Sequence, residues 1–273
     1  MRQLIRSPTT TYGIERQIAK TEAFTVYLVI DEADGAWYML KIAPDQTDNV
    51  RFEREVLALR DIWAEVERIR ATEPSLTVGG GYRYEKCFPR IHESFLFTEQ
   101  GSRRINILAI PAAEVVTDLV PLEQWRTRER VRLDPKSSAW LMGRLLKIFT
   151  LTHPIGVSVG QITGGNILVN PIKHRAFFFD WTEAHQYNPY VPPEKVGEEI
   201  AQAARQIFVA LGGDLRKRAL PPSDQLVDTR YAELLLRFMS GTERDPDKAS
   251  IRFYQLIREL WEPEFHPFTT IPI

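Results

Sequence analysis

The first hundred residues alternate between short apolar runs and turn-forming residues, a pattern typical of β-strands. Residues 23–30 and 36–42 are rich in β-branched and aromatic side chains, and an Asp- and Gly-containing turn at 31–35 separates them. This spacing predicts a β-hairpin. Further strands are predicted at 95–97 and 105–110. The N-terminal part of the chain is therefore expected to be rich in β-structure.

One helical pattern interrupts these strands. Apolar residues recur at helical spacing from Val50 to Ile69, behind a capping residue at Asp48 or Asn49. Pro74 is predicted to stop this helix, because proline lacks the amide donor that a continuing helix needs.

Helical patterns dominate beyond Pro121. Helices are predicted from Ser137 or Ser138 to Thr150, and at Glu198–Leu211, Asp228–Met239 and Asp247–Trp261. Short buried strands are predicted at 167–169 and 176–179. Strands first and helices later indicate an α+β chain with two unequal lobes, joined near residues 111–114. The predicted division is 1–112 for the strands with their helix and 113–273 for the mainly helical part.

Composition narrows the function classes without naming one. The 273 residues include 35 Lys and Arg and 36 Asp and Glu, and the resulting net charge of −1 argues against a dedicated nucleic-acid binder. The single cysteine, Cys87, favours a reducing compartment. No signal peptide and no bilayer-length apolar run is visible, so a cytoplasmic protein without membrane contact is expected.

Three segments, in chain order, carry the candidate chemistry. Lys41 ends a predicted strand, and Glu55 lies in the helix that follows. Residues 153–169 read HPIGVSVGQITGGNILV. Three phenylalanines at 177–179 then precede Asp180.

This ordered set resembles the protein-kinase-like fold, in particular bacterial Ser/Thr kinases. That family pairs a strand lysine with a helix glutamate, and it has a catalytic loop that ends in asparagine before a metal-binding aspartate. The residues in register with the family's loop pattern L-H-x-x-G-x-x-H-G-D-x-x-x-x-N-I-L are His153, Gly156, Gly160, Asn166, Ile167 and Leu168. Later likenesses are residues 190–194 to the A-P-E segment, Glu199 to the helix-F aspartate, and residues 245–250 to the D-P-x-x-R-P-S element.

The resemblance covers about Tyr12 to Trp261 and implies a bilobal fold with a small β-rich N-lobe and a larger helical C-lobe. It also implies ATP and Mg²⁺ as ligands. Lys41 would hold the nucleotide phosphates, with Glu55 orienting it by an ion pair. Asn166 and Asp180 would supply oxygen ligands to Mg²⁺.

Three features depart from the family pattern. Gln161 stands at the position of the catalytic aspartate, where a positioned acid/base is worth about 10²–10⁴-fold in rate. Val159 replaces the histidine of the same loop. The segment from Asp180 to Glu194 is short for a platform that docks a peptide substrate.

The phosphate-covering loop has lost all three glycines. Ala19, Thr21 and Phe24 occupy their places among the nucleotide-binding positions. Glycine lets a backbone approach phosphate closely, and side chains here would hold it away. Phe24 is a candidate to fill the pocket beside Lys41, and Glu22 would repel a triphosphate if it pointed inward.

These matches and departures predict a degenerate kinase-like protein, a pseudokinase, that acts as a nucleotide-binding or nucleotide-free interaction or regulatory module for a protein partner. The alternative is an atypical, slow ATP-dependent phosphotransferase in which the Gln161 carbonyl aligns the acceptor hydroxyl. A third hypothesis is a pure scaffold whose pocket is filled by Phe24 or Trp181.

A basic run remains outside the kinase-like motifs. Its members are Arg126, Arg128, Arg130, Arg132 and Lys136, interrupted by Glu129 and Asp134. Two interpretations are open, a solvated helix face and a docking surface for an acidic partner. The five histidines lack the spacing of a zinc site, and no Walker or serine-hydrolase motif occurs.

Overall fold

The computed structural model describes residues 3–72, 83–110, 119–221, 229–261 and 266–273. The chain divides into two compact units. The first contains the described residues up to 110 together with Asp180–Ala184, and the second contains the other described residues. The predicted boundary between residues 112 and 113 and the predicted stop at Pro74 lie outside the described residues.

The first unit is built on one antiparallel sheet of six strands in the order β1-β2-β3-β4-β6-β5. The strands are β1 (Leu4–Arg6), β2 (Thr11–Lys20), β3 (Thr25–Asp31), β4 (Trp37–Ile42), β5 (Arg90–Phe97) and β6 (Arg103–Ala109). The predicted hairpin is confirmed as β3 and β4, and Gly35 takes the positive φ of +73° that its turn requires. The strands β1 and β2 are not predicted from the sequence pattern.

Side-chain alternation along β4 places Lys41 on the face of the sheet opposite an apolar cluster. Leu40 and Ile42 join a buried apolar cluster that includes Val29 and Ile105. Successive side chains of a strand point to opposite faces, so Lys41 lies on the other face.

The helix α1 (Asn49–Thr72) packs beside β5 and β6. It begins where the capping signal indicated and extends three residues beyond the predicted end at Ile69. Its buried residues are Phe52, Glu55, Ala58, Leu59, Ile62 and Val66, which fall at helical spacing. Glu55 is the one ionisable residue among them, and a buried carboxylate requires partners.

The second unit is mainly helical. Its helices are α2 (Leu122–Thr127), α3 (Pro135–Thr152), α4 (Pro193–Ala210), α5 (Thr229–Met239) and α6 (Pro246–Leu260). Its strands are β7 (Val120–Pro121), β8 (Val131–Leu133), β9 (Val157–Ser158), β10 (Ile167–Asn170), β11 (Arg175–Phe178), β12 (His185–Gln186) and β13 (Thr270–Pro272). The two predicted short strands pair antiparallel as β10 and β11.

Three helix starts differ from the prediction, and each involves a proline in the first turn. Asp134, rather than Ser137 or Ser138, caps α3 by accepting from the backbone N–H of Lys136 at 2.9 Å. The helix α4 begins at Pro193 instead of Glu198. Likewise α6 begins at Pro246 behind an Asp245 cap. Proline suits this position because its missing N–H would have no helical partner there.

None of the helices in the described parts of the chain combines the length and apolar character needed to cross a bilayer.

Candidate functional site

In the first unit, β4 and α1 bring Lys41 and Glu55 into direct contact. The Lys41 Nζ lies 2.7 Å from Glu55 Oε1, and both side chains are 0% exposed. The contact has the geometry that the motif implies. The assignment of these two residues to nucleotide binding stays a prediction.

A second carboxylate completes the cluster around Lys41. Its Nζ also donates to Asp180 Oδ1, and the Asp180 side chain is 19% exposed. The same Oδ1 accepts from Thr182, through the backbone N–H at 3.0 Å and the hydroxyl at 2.8 Å. Lys41 is therefore held by Glu55, the partner that the motif implies, and also by Asp180, which the motif implies as a metal ligand.

Glu55 has partners besides the lysine. Its Oε1 accepts from the backbone N–H of Trp181 at 3.2 Å, and its Oε2 accepts from Asn106 Nδ2 at 2.8 Å. Asn106 pairs directly with Lys41 across β4 and β6, which places its amide on the same face of the sheet. These bonds compensate the burial of the charge and fix the carboxylate in position.

The opposite charges of the lysine and the carboxylates shift the pKa values of Lys41 and Asp180. Burial by itself would lower the pKa of Lys41, but the charges of Asp180 and Glu55 and their hydrogen bonds outweigh it, and the pKa lies above its ordinary value. Burial would raise the pKa of Asp180, whereas the Lys41 charge and the hydrogen bonds from Lys41 and Thr182 lower it overall. Both shifts favour the charged forms, the ammonium of Lys41 and the carboxylate of Asp180, near neutral pH.

The turn between β2 and β3 covers the lysine. The Phe24 ring centroid lies 4.3 Å from Lys41 Nζ. Thr21 Oγ1 accepts from the backbone N–H groups of Ala23 at 3.2 Å and Phe24 at 3.1 Å, and the Thr21 N–H donates to the Phe24 carbonyl at 2.9 Å. Of the predicted loop residues, Phe24 therefore contacts Lys41, Thr21 closes the turn, and Ala19 lies at the end of β2, paired with Val26.

In the second unit, α4 holds the loop that carries Gln161. The loop partners on α4 are Glu199, Gln202 and Gln206, which share one face of the helix at i, i+3 and i+7. Glu199 Oε1 accepts from the Gly160 N–H at 2.6 Å, and Gln202 Oε1 accepts from the Ile162 N–H at 2.8 Å.

Glu199 also holds His153. Its Oε2 lies 2.7 Å from His153 Nε2, and both side chains are buried. A carboxylate only accepts, so the imidazole carries its proton on Nε2. His153 Nδ1 is buried and has no hydrogen-bond partner among the described residues. Glu199 therefore joins the end of α3 to the loop.

Gln161 itself is exposed, and no aspartate or glutamate lies between residues 157 and 166. Asn166 is buried. Its side-chain Nδ2 donates to the backbone carbonyl of Gln161 at 3.4 Å, and its backbone carbonyl accepts from the Phe179 N–H at 3.1 Å. Gln161 and Asn166 are thus in contact, but the contact involves the backbone of Gln161 and not its side chain.

The two predicted metal ligands belong to different units, Asp180 to the first and Asn166 to the second. Among the residues that the structure describes, no group of three or more His, Cys, Asp or Glu side chains is arranged to hold a metal ion. The joint binding of Mg²⁺ by Asn166 and Asp180 stays a prediction.

Several residues of these networks were not predicted from the sequence, among them Asn106 and Gln202. Asn106 is a polar residue inside an apolar strand, and Gln202 lies one turn beyond Glu199 on α4. A buried amide in a strand is a signal for a hydrogen-bonded network, because an unsatisfied amide is costly. That signal was visible for Asn106, whereas Gln202 has no comparable mark in the sequence.

Comparison with known proteins places the fold. No family model and no curated protein matches the sequence. Among solved structures, the chain is similar to vaccinia related kinase 3, with a TM-score of 0.63 and 11% sequence identity over 94% of this chain and 90% of that one. The α+β fold is therefore protein-kinase-like, with a β-rich first unit and a mainly helical second unit.

Proposed function

We propose that this kinase-like chain is a pseudokinase that works in the cytosol as a nucleotide-free interaction or regulatory module for a protein partner. The observation that supports this most directly is the Phe24 ring over the buried Lys41 ammonium, 4.3 Å from Nζ to the ring centroid. We expect a ring at this distance to compete with a phosphate oxygen for the space beside Nζ.

The hydrogen bonds of the same turn support the proposal independently. A phosphate-binding loop offers backbone N–H groups to its ligand. Here the N–H groups of Ala23 and Phe24 already donate to Thr21 Oγ1. The loop and Lys41 in this arrangement do not fit a triphosphate, so we derive no step through ATP.

The loop that carries Gln161 contains no aspartate or glutamate, and this affects catalysis of phosphoryl transfer and not nucleotide binding. Amide side chains do not take a proton near neutral pH, so Gln161 has no means of acting as a general base. The exposed Gln161 carbonyl is limited to orienting a hydroxyl. Asp180 Oδ1, which would be an Mg²⁺ ligand, accepts from Lys41 and Thr182 instead.

A second candidate function is the slow phosphotransferase, and one observation favours it. The Lys41–Glu55 ion pair is intact at 2.7 Å and fully buried, which is the pairing that an active kinase requires. For this function the Phe24 ring would have to leave Lys41, and Lys41 would have to exchange Asp180 for phosphate. Gln161 would then align the acceptor hydroxyl.

The experiment that tests the proposal measures phosphoryl transfer and ADP formation by the full chain with ATP and Mg²⁺ over several hours. The matched control is Asp180→Asn, which removes the implied metal ligand. The proposal predicts that the two proteins give the same background signal. ADP formation by the wild-type chain that disappears in Asp180→Asn would favour the phosphotransferase.

A further inference from the structure

The described surface of the second unit carries basic residues on two segments that are far apart in the sequence. The first is the basic run that begins with Arg126 in the last turn of α2. This helix ends at Thr127 and β8 begins at Val131, so the run is not one continuous helix face. Arg126, Arg128 and Arg130 are exposed along it.

The second segment is a tight loop after α4. Asp214 and Ala219 close it through two backbone hydrogen bonds, of 2.9 and 3.3 Å. Asp214 Oδ1 also accepts from the backbone N–H groups of Arg216 at 2.8 Å and Lys217 at 3.1 Å. The carboxylate is therefore occupied in shaping the turn, and the side chains of Arg216, Lys217 and Arg218 are exposed.

The fold brings the two segments together. Arg132 of β8 donates to the Leu211 carbonyl at 3.3 Å. Its side chain also lies against Gly212, where an added Cβ would come within 3.1 Å of Arg132 Cδ. The pKa of Asp214 is lowered first by the N–H groups of Lys217 and Arg216, and further by the charges of Lys217 and Arg126. Arg126 therefore lies within electrostatic range of the loop.

We name this surface the basic patch, and its members are Arg126, Arg128, Arg130, Arg132, Arg216, Lys217 and Arg218. The carboxylates in the same two segments are Glu129 and Asp214, so the local balance is +5 in a chain whose net charge is −1. The remaining residues therefore carry −6 overall. Such concentration of one sign attracts ligands of the opposite sign.

The exposed cations of the patch are not neutralised within the described part of the chain. Six of them, all except Arg132, make no ion pair with a carboxylate among the described residues. Exposed cations elsewhere do pair, for example Arg68 with Glu65 at 2.7 Å and Lys195 with Glu198 at 2.7 Å. The guanidinium groups of the exposed arginines in this set of six are thus available to an external carboxylate, which arginine binds in a bidentate geometry.

We infer that the basic patch is the docking surface for the partner of this module, and that the partner presents a short acidic polypeptide segment rich in Asp and Glu. The inference rests on the proposed function, because the basic patch would be the contact surface of that interaction module. A short segment suits the patch because the rest of the chain is net negative and would repel a longer polyanion. Nucleic acid is disfavoured as the ligand, because proteins that bind it carry a basic excess over the whole domain, whereas this chain has a net charge of −1.

The test is fluorescence anisotropy with the full chain and a labelled decaglutamate peptide. Decaglutamine and a ten-nucleotide single-stranded DNA serve as comparison probes. The patch variant is Arg126→Gln/Arg128→Gln/Arg216→Gln. The matched control is Arg16→Gln/Arg237→Gln/Arg258→Gln, which removes the same charge from exposed positions outside the patch.

We expect decaglutamate to bind the wild-type chain, decaglutamine not to bind, and the patch variant to bind decaglutamate about tenfold more weakly. The control variant should bind within about twofold of wild type, and binding should weaken when ionic strength rises to about 0.15 M. Equal losses in both variants, or tighter binding of the DNA than of decaglutamate, would overturn the inference. The titration contains no nucleotide, so its outcome is separate from the phosphoryl-transfer assay that tests the proposed function.

Discussion

The Lys41 ammonium lies 4.3 Å from the centroid of the Phe24 ring and donates to the carboxylates of both Glu55 and Asp180. An aromatic face attracts a cation, and the attraction rises to about 2 kcal/mol when the cation is desolvated. Lys41 is fully buried, so this contact belongs to the strong end of the range. Phe24, which stands where the kinase-like pattern has a glycine, thus stabilises the buried lysine.

Replacing Phe24 separates the ring's electrostatic contribution from its volume. Phe24→Leu keeps an apolar side chain but loses the aromatic face, and we expect it to lower the free energy of unfolding by about 1–2 kcal/mol. Phe24→Tyr keeps the ring and should remain within about 0.5 kcal/mol of wild type. Urea denaturation measures both. Equal stability of the two variants would show that the ring does not stabilise Lys41.

Removing the cation should cost far more than removing one of its carboxylates. Lys41→Met leaves Glu55 and Asp180 facing each other without a counter-charge, and breaking a buried ion pair in this way costs about 3–5 kcal/mol. Asp180→Asn leaves Lys41 balanced by Glu55, and we expect a loss of about 1–2 kcal/mol. The measurement is again the free energy of unfolding. A larger loss in Asp180→Asn than in Lys41→Met would contradict this description of the cluster.

The cluster also predicts how stability depends on pH. The folded pKa of Asp180 is below its unfolded value of about 3.9, so its contribution is present above that pH and is lost as the pH falls through the folded pKa. The folded pKa of Lys41 is raised, so its contribution is fully present below about pH 10.4 and is lost as the pH rises through the folded pKa.

The stability difference between wild type and Asp180→Asn should therefore be constant between about pH 5 and pH 9 and shrink as the pH falls below about 4. Chemical denaturation at a series of pH values measures it. A difference that stays constant through the acid range would indicate that Asp180 is not held as a carboxylate in the folded state.

Neighbouring glutamates on α4 provide a matched pair for the second unit. Glu199 is buried between His153 and the Gly160 N–H, and Glu199→Ala should cost about 3 kcal/mol because both partners lose their acceptor. Glu198 is exposed and pairs with exposed Lys195, so Glu198→Ala should change stability by less than about 1 kcal/mol. Hydrogen exchange of the Gly160 amide should accelerate in Glu199→Ala alone. Unchanged exchange would show that Glu199 does not hold the loop.

The sequence indicated the β3–β4 hairpin, α1 and the β10–β11 pair because their apolar residues are clearly patterned and turn-forming residues mark their ends. Helix starts were placed less well. Residues 190–194 resemble a loop motif in the sequence, whereas the fixed φ of Pro193 suits the first turn of α4. The strand β2 has register shifts that break its alternation, which explains why its pattern gave no signal.

For the site, a motif in the sequence predicted Lys41, Glu55 and Asp180, and Phe24 was a candidate to fill the pocket beside Lys41. It could not show that Lys41 contacts both carboxylates, because that depends on the backbone that follows Phe179. The basic loop at 216–218 also escaped notice, since only the fold places it beside the run at 126–132.

The glycine variant Ala19→Gly/Thr21→Gly/Phe24→Gly removes the ring and the hydroxyl acceptor together. We expect it to raise the affinity for ATP with Mg²⁺ at least tenfold over wild type, since it frees the N–H groups of the turn and uncovers Lys41. Equilibrium dialysis with labelled ATP measures this, and Arg16→Gln is the control for a change elsewhere on β2. An affinity equal to wild type would show that the turn does not set nucleotide access.

The most direct test of the central claim is a thermal-shift titration of the wild-type chain with ATP and Mg²⁺. The closed Lys41 cluster predicts that the Tm does not change over the accessible nucleotide range. A ligand at a hundredfold excess over Kd stabilises a protein by about 2.7 kcal/mol, which corresponds to about 5–10 °C for a chain of this size. A saturable rise of that magnitude would contradict the proposal that the module works without nucleotide.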